Sequence, residues 1–208
     1  MTYEEATARC WLEVDLDAIR ENYRSSARLV GEKVRVIPVL KANAYGMGAK
    51  EVGGLLAAEG ADLFAVATGD EAEQLRSALP EGARVLTMGL VGRRQMARLI
   101  AGGMPLTLFS EKQGLEMVEA AREAGRAAQV HVKVDTGLHR LGLEPETAAE
   151  TVRALVETGL IRVEGLFTHL GIHTAEMDAR QTAALRRVRA ELRAVGVVVP
   201  ITHAVDSI

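Results

Sequence analysis

The stretch VRVIPVLKANAYGMG, Val34 to Gly48, carries the information that decides the fold. Its first seven residues, Val34–Leu40, are almost entirely apolar and rich in β-branched side chains, as in a buried strand. Pro38 cannot donate to a hydrogen-bond ladder, so the segment suits a strand end or a local irregularity. The run ends in Lys41, followed by Asn43, Tyr45, Gly46 and Gly48. A doubly wound sheet built for a dinucleotide would follow its first strand with G-x-G-x-x-G. LKANAYGMG is not that fingerprint, which leaves a barrel of parallel strands as the better reading.

Outward from this stretch, short apolar runs alternate with amphipathic ones. Strands are expected at Asp62–Ala67, Arg84–Met88, Pro105–Phe109, Gln129–Val134, Ile161–Thr168 and Val197–Thr202. Helices are expected at Met47–Glu59, Asp70–Leu79, Arg93–Ala101, from a Ser110 cap to Ala124, Glu146–Glu157 and Asp178–Val195. Gly60, Gly125 and Gly159 follow three of them as stop signals. Upstream, Cys10–Val14 reads as a further strand, and Asp15 caps a helix spaced by Leu16, Ile19 and Tyr23. Strands separated by helices of 10–15 residues pair in parallel through right-handed crossovers. Seven strands follow from Val34 onward, against a typical (β/α)8 barrel of about 250 residues. The expectation is one α/β domain over residues 1–208, a TIM-type barrel left incomplete at about seven strands.

Composition narrows the function classes. The 208 residues carry 25 Lys+Arg against 28 Asp+Glu, a net charge of −3. With 48% hydrophobic residues the chain is globular in character, and the charge balance argues against a nucleic-acid module. Aromatics at 3% leave little stacking surface for single strands. The single Cys10 excludes an internal disulfide and reads as an inert small hydrophobe. No run reaches the roughly 18 apolar residues of a membrane span. The opening MTYEEATARC is acidic and polar, unlike a secretory signal, so a cytoplasmic location is expected.

In a barrel, residues at the C-terminal ends of the strands share one mouth. These are Lys41, Asn43 and Tyr45, then Met88 and Gly89, then Lys133, Asp135 and Arg140, then His169, and last His203, Asp206 and Ser207. Only five residues are lysines, so Lys41 and Lys133 in apolar settings stand out. An amine at an apolar mouth is desolvated, which lowers its pKa and suits it to Schiff-base chemistry. From position alone, a lysine that snorkels to solvent at a strand end is the plainer reading of Lys41. Period-two geometry puts Lys133 and His131 on one face, opposite Val132 and Val134. That face is either the barrel interior or its helix-covered exterior, and an ion pair, for instance with Asp135, would compensate the charge. His169 and His173 have metal-ligand spacing, but Gly171 between them makes a helix doubtful, and a packed neutral His169 is the alternative. Arg186, Arg187, Arg189 and Arg193 on one helix read as a solvated face.

Several segments together resemble the alanine racemases. VIPVLKANAYGMGA (Val36–Ala49) looks like that family's pyridoxal-phosphate lysine motif, and WLEVDLDAIRENYR (Trp11–Arg24) like its N-terminal strand and helix. HVKVDTGLHRLGL (His131–Leu143) resembles the segment with the family's Lys and Arg. EGLFTHL (Glu164–Leu170) resembles its His strand, and THAVDSI (Thr202–Ile208) its phosphate segment. The resemblance implies an isomerase that interconverts L- and D-alanine, supplies D-alanine for peptidoglycan, and forms a homodimer at full length. It implies a Schiff base between Lys41 and the cofactor, with Lys41 also an acid/base group at the substrate Cα. Tyr45 and Ser207 would hydrogen-bond the phosphate, with Asp206 beside it. Arg140 would face the phenolic oxygen, His169 would lie by the pyridine ring, and Lys133 matches a lysine that is often carbamylated. No metal is implied.

The chain departs from the family pattern in three places. It stops inside the phosphate segment, so the last barrel strand and the C-terminal β-domain with the second-base Tyr are expected to be missing. Tyr3, Tyr23 and Tyr45 do not match that Tyr. Asp206 stands where the family has Asn, and Leu138–His139 where Met-Gly is usual. Two other readings stay open: an inactive truncated fragment, and a pyridoxal-phosphate-binding barrel protein without racemase activity.

Overall fold

Pro38 has no N–H, and around it the expected first strand shrinks to a single bridge. In the computed structural model, which describes residues 10–171 and 174–205, Val39 lies parallel to Ala65. Ala65 N donates to Pro38 O at 2.9 Å and Leu40 N donates to Ala65 O at 2.8 Å. The missing donor stops the ladder from running back toward Val34, which is exposed. Cys10–Val14, the other expected strand, is irregular, and Cys10 is exposed rather than packed. The sheet therefore starts at Leu63, after both of these segments.

Six strands form one sheet in which every pairing is parallel. They are β1 (Leu63–Val66), β2 (Arg84–Thr87), β3 (Leu106–Leu108), β4 (Ala128–Lys133), β5 (Ile161–His169) and β6 (Ile201–Val205). Their spatial order equals their chain order, as successive right-handed crossovers require. The right-handed helices are α1 (Leu16–Val30), α2 (Ala49–Ala58), α3 (Gly69–Arg76), α4 (Arg93–Ala101), α5 (Glu111–Ala124), α6 (Ala148–Glu157) and α7 (Ala175–Ala194).

The caps are local chemistry written in the chain. Asp15 accepts from Ala18 N at the start of α1, and Ser110 from Gln113 N at the start of α5. Gly125 ends α5 in the left-handed region, where a glycine carries no Cβ penalty. Between the sheet and the helices lies the main core. Val130, Val132 and Val134 point into it from the β4 segment, together with Met96, Leu99, Leu155 and Leu192 from the helices.

The sheet is curled like part of a barrel. Ile201 of β6 packs with Leu63, Ala65 and Leu86 of β1 and β2, although β6 and β1 are opposite ends of the strand order. Arg84 Nη1 of β2 meets Glu164 Oε2 of β5 at 2.8 Å across the same concave face. His131 and Lys133 belong to this face, which settles their side in favour of the barrel interior. The incomplete TIM-type barrel is thus the observed fold, with six ladder strands among the described residues.

Candidate active site

The site is built first from the backbone around Lys41. Immediately before it, Leu40 N is tied to Ala65 O. Immediately after it, Ala42, Asn43, Ala44 and Tyr45 all take φ between 51° and 56°. This is a left-handed helical turn made of non-glycine residues, a conformation that costs about 1–2 kcal/mol per residue. Hydrogen bonds hold it: Ala44 N to Leu40 O, Gly46 N to Ala42 O, and Ala49 N to Asn43 Oδ1 at 2.8 Å. Gly46 and Gly48, both at positive φ, release the chain into α2. The turn leaves Lys41 half-buried at the sheet's C-terminal rim, with Nζ 5.8 Å from the centroid of the exposed Tyr45 ring.

One residue that the sequence reading passes over joins this turn to the next loop. Glu71 of α3 accepts from Ala42 N at 2.7 Å through Oε1, and from Ala67 N and Thr68 N at 2.9 and 3.0 Å through Oε2. Thr68 Oγ1 in return accepts from Glu71 N, closing a capping box. Partial burial pushes the Glu71 carboxyl upward, but the three backbone donors outweigh it and hold the carboxyl below the usual range. The available signal is the T-x-x-E spacing of Thr68 and Glu71 directly after an apolar strand.

Across the curl, β4 and β5 carry the second cluster. Lys133 is 5% exposed, and its Nζ donates to Leu141 O at 2.6 Å and lies 5.9 Å from the Phe167 ring centroid. Burial lowers its pKa; the Asp135 charge opposes this and the Arg140 charge adds to it. The expected direct ion pair with Asp135 is replaced by that backbone contact. Asp135 Oδ1 accepts instead from Gly137 N and His139 N, both at 3.0 Å, which shapes the turn leading to the exposed Arg140. His139, standing where Met-Gly is usual in the resembled family, adopts φ +55°. His169 closes β5 and is half-buried at the rim, one strand away from Lys133.

Some expected residues fall elsewhere. Asp206, Ser207 and His173 lie outside the described residues. His203 is not at the rim. It sits within β6, stacked on Phe167 at 4.5 Å, with Nε2 2.8 Å from His131 Nδ1. Among the described residues no group of three or more His, Cys, Asp or Glu is placed to hold a metal ion. Met88 and Gly89 continue the β2 end, tied to Val66 O and Ala67 O. Arg186, Arg187, Arg189 and Arg193 lie on α7, and Arg187 pairs with Glu146 at 2.9 Å, as a solvated face requires.

A family profile described as "Alanine racemase, N-terminal domain" matches residues 14–207. The chain is 34% identical over 205 residues to the alanine racemase of Methanococcus maripaludis, covering 95% of this chain and 54% of the relative. It is 37% identical over 202 residues to that of Symbiobacterium thermophilum, covering 95% and 52%. A solved alanine racemase of Clostridium difficile 630 superposes with a TM-score of 0.89 at 31% identity, over 97% of this chain and 56% of that one. The chain therefore spans about half the length of the curated relatives it matches. By both sequence and fold it belongs to the alanine racemase family.

Proposed function

We propose that the chain forms the cofactor-binding barrel portion of an enzyme that interconverts L- and D-alanine with pyridoxal 5'-phosphate. The observation that carries this reading is Lys41, half-buried at the rim on a backbone tied down on both sides. The donor set at this rim fits an anionic, aldehyde-bearing cofactor: a primary amine, a phenol, a guanidinium and an imidazole, with no acidic cage among the described residues.

When bound, the cofactor supplies an electron sink that acidifies the substrate Cα–H. Lys41 would hold the cofactor covalently and move a proton to or from one face of Cα. Tyr45 would hydrogen-bond the phosphate, together with Ser207 and the segment around Asp206. Arg140 would face the phenolic oxygen, and His169 would lie along the pyridine ring. Lys133, whose neutral amine is favoured by burial, would add carbon dioxide at Nζ and release a proton to solvent, giving a carbamate. A buried amine would then become an anion able to orient Arg140. The D-alanine made this way would serve peptidoglycan synthesis in the cytoplasm, and the working enzyme would be a homodimer. No described helix is long and apolar enough to cross a membrane.

The test adds pyridoxal 5'-phosphate to the chain and records the Schiff-base absorbance. Lys41→Ala is expected to abolish the band, and an identical spectrum in that variant would sink the proposal. Racemisation of L-alanine by the 208-residue chain is expected to be slow, because among the described residues Lys41 is the group assigned to proton transfer at Cα. Robust turnover would refute that account of the second face.

A further inference from the structure

Lys41 can act only if its backbone is held at the rim, and its side chain has little to do with that. The bond before it, Leu40 N to Ala65 O, is ordinary strand pairing. The bond after it is different. Ala42 opens a helical turn, and the first N–H groups of any such turn lack partners within it. Ala42 N is satisfied from a different βα loop, by Glu71 Oε1. The other carboxylate oxygen, Oε2, holds Ala67 N and Thr68 N, where β1 leaves the sheet. One side chain thus fastens two neighbouring loops at the rim, and one of them begins with Lys41.

We propose that Glu71 is the positioning residue for Lys41: its carboxylate caps the left-handed turn at Ala42 and so fixes where the Lys41 amine is presented. This rests on the proposed role of Lys41. The capping box with Thr68 would by itself explain a glutamate at this position, since T-x-x-E needs no more than its own helix. The Ala42 contact, 29 residues away in the chain, is outside that local function. Charge matters as much as shape. A carboxylate accepts at both oxygens, and the negative end suits a cluster of three backbone donors. Glutamine has the same shape but one amide nitrogen, which can only donate. In Glu71→Gln, with the amide oxygen kept on Ala67 and Thr68, the amide nitrogen would turn its N–H against the Ala42 N–H.

The experiment compares the wild-type chain with Glu71→Gln, Glu71→Asp and Thr68→Ala. Each is incubated with pyridoxal 5'-phosphate, trapped with borohydride and peptide-mapped. The readout is the share of label on Lys41 against Lys33, Lys50, Lys112 and Lys133, with circular dichroism of the bound chromophore as a second signal. Wild type and Thr68→Ala are expected to label Lys41 preferentially. In Glu71→Gln that preference is expected to fall by about tenfold, the loss of one charge-assisted hydrogen bond. Glu71→Asp, which keeps the charge, should retain part of it. A Glu71→Gln chain that labels Lys41 as the wild type does would overturn the inference. Failure of both Glu71 variants to fold, while Thr68→Ala folds, would also overturn it, because Glu71 would then serve the fold at large. A wild-type chain with no preference for Lys41 would instead refute the proposed function and stand apart from both results.

Discussion

Acidification from about pH 7 to about pH 5 should destabilise this chain through one pair of histidines. His131 is fully buried on the concave face, with Nδ1 2.8 Å from His203 Nε2. Burial, followed by the nearby His203 and Arg84, pulls its pKa down to about 3. Burial pulls His203 down to about 4. In the unfolded chain both would titrate near 6.5. The folded values lie below the unfolded ones, so as pH falls the unfolded chain takes up protons first. The stability is fully present above about pH 6.5 and is lost as pH falls toward the folded values. Two-state linkage gives a loss of about 2 kcal/mol per histidine between pH 7 and 5, or about 4 kcal/mol for the pair. Carboxylates with lowered pKa, such as Glu71 and Asp135, titrate mostly below this window. The assay is urea unfolding at a series of pH values, repeated on His203→Phe, which keeps an aromatic ring on Phe167. The wild-type free energy should fall steeply between pH 7 and 5, and the variant should lose about half of that dependence. A wild-type curve flat over this interval, or a variant curve with the wild-type slope, would refute the reasoning.

Three further outcomes follow from the same geometry. His139→Gly should raise stability by about 1 kcal/mol in thermal or urea unfolding, because glycine adopts the left-handed conformation without a Cβ penalty. The Asp135 contact to the backbone N–H at position 139 would survive that change. Gly165→Ala should lower stability by about 3 kcal/mol or more, since the new Cβ would stand 2.2 Å from His131 Nδ1. Wild-type stability in the alanine variant would show that His131 can yield. Lys133→Met should leave unfolding stability unchanged or raised by about 1 kcal/mol, since it removes a buried amine and keeps the volume. It should also abolish the mass increase of one carbon dioxide expected for the wild type in bicarbonate, and its persistence would place the modification elsewhere.

Much of this protein is legible without coordinates, because the relevant forces act over a few residues. Period-two and helical spacing locate the ladder strands from β1 to β6 to within a few residues. The caps at Asp15 and Ser110, and the stop at Gly125, are readable because a cap is a contact three or four residues long. Lys41 stands out for the same reason, as an amine at the end of an apolar run. The face shared by His131 and Lys133 follows from pleating, but whether it is concave or convex does not. The strand expected at Val34–Leu40 is shorter in the fold because its composition is right, while the missing N–H of Pro38 matters only once a partner strand is in place.

The parts that no spacing records are those made between elements. In sequence Glu71 is half of a capping box. Only folding brings Ala42 N within 2.7 Å of it and makes it part of the Lys41 loop. His203 reads as a rim residue, but the register of β6 against β5 sets it opposite Phe167, below the rim. Arg84 and Glu164 are 80 residues apart and meet only because the sheet curls. Local propensity and pattern determined which segments are strands and which residue types could do the chemistry. Tertiary structure decided which of those residues share a surface. A hydrogen bond or ion pair depends on distances of a few ångströms, and those distances are set by chain closure over tens of residues.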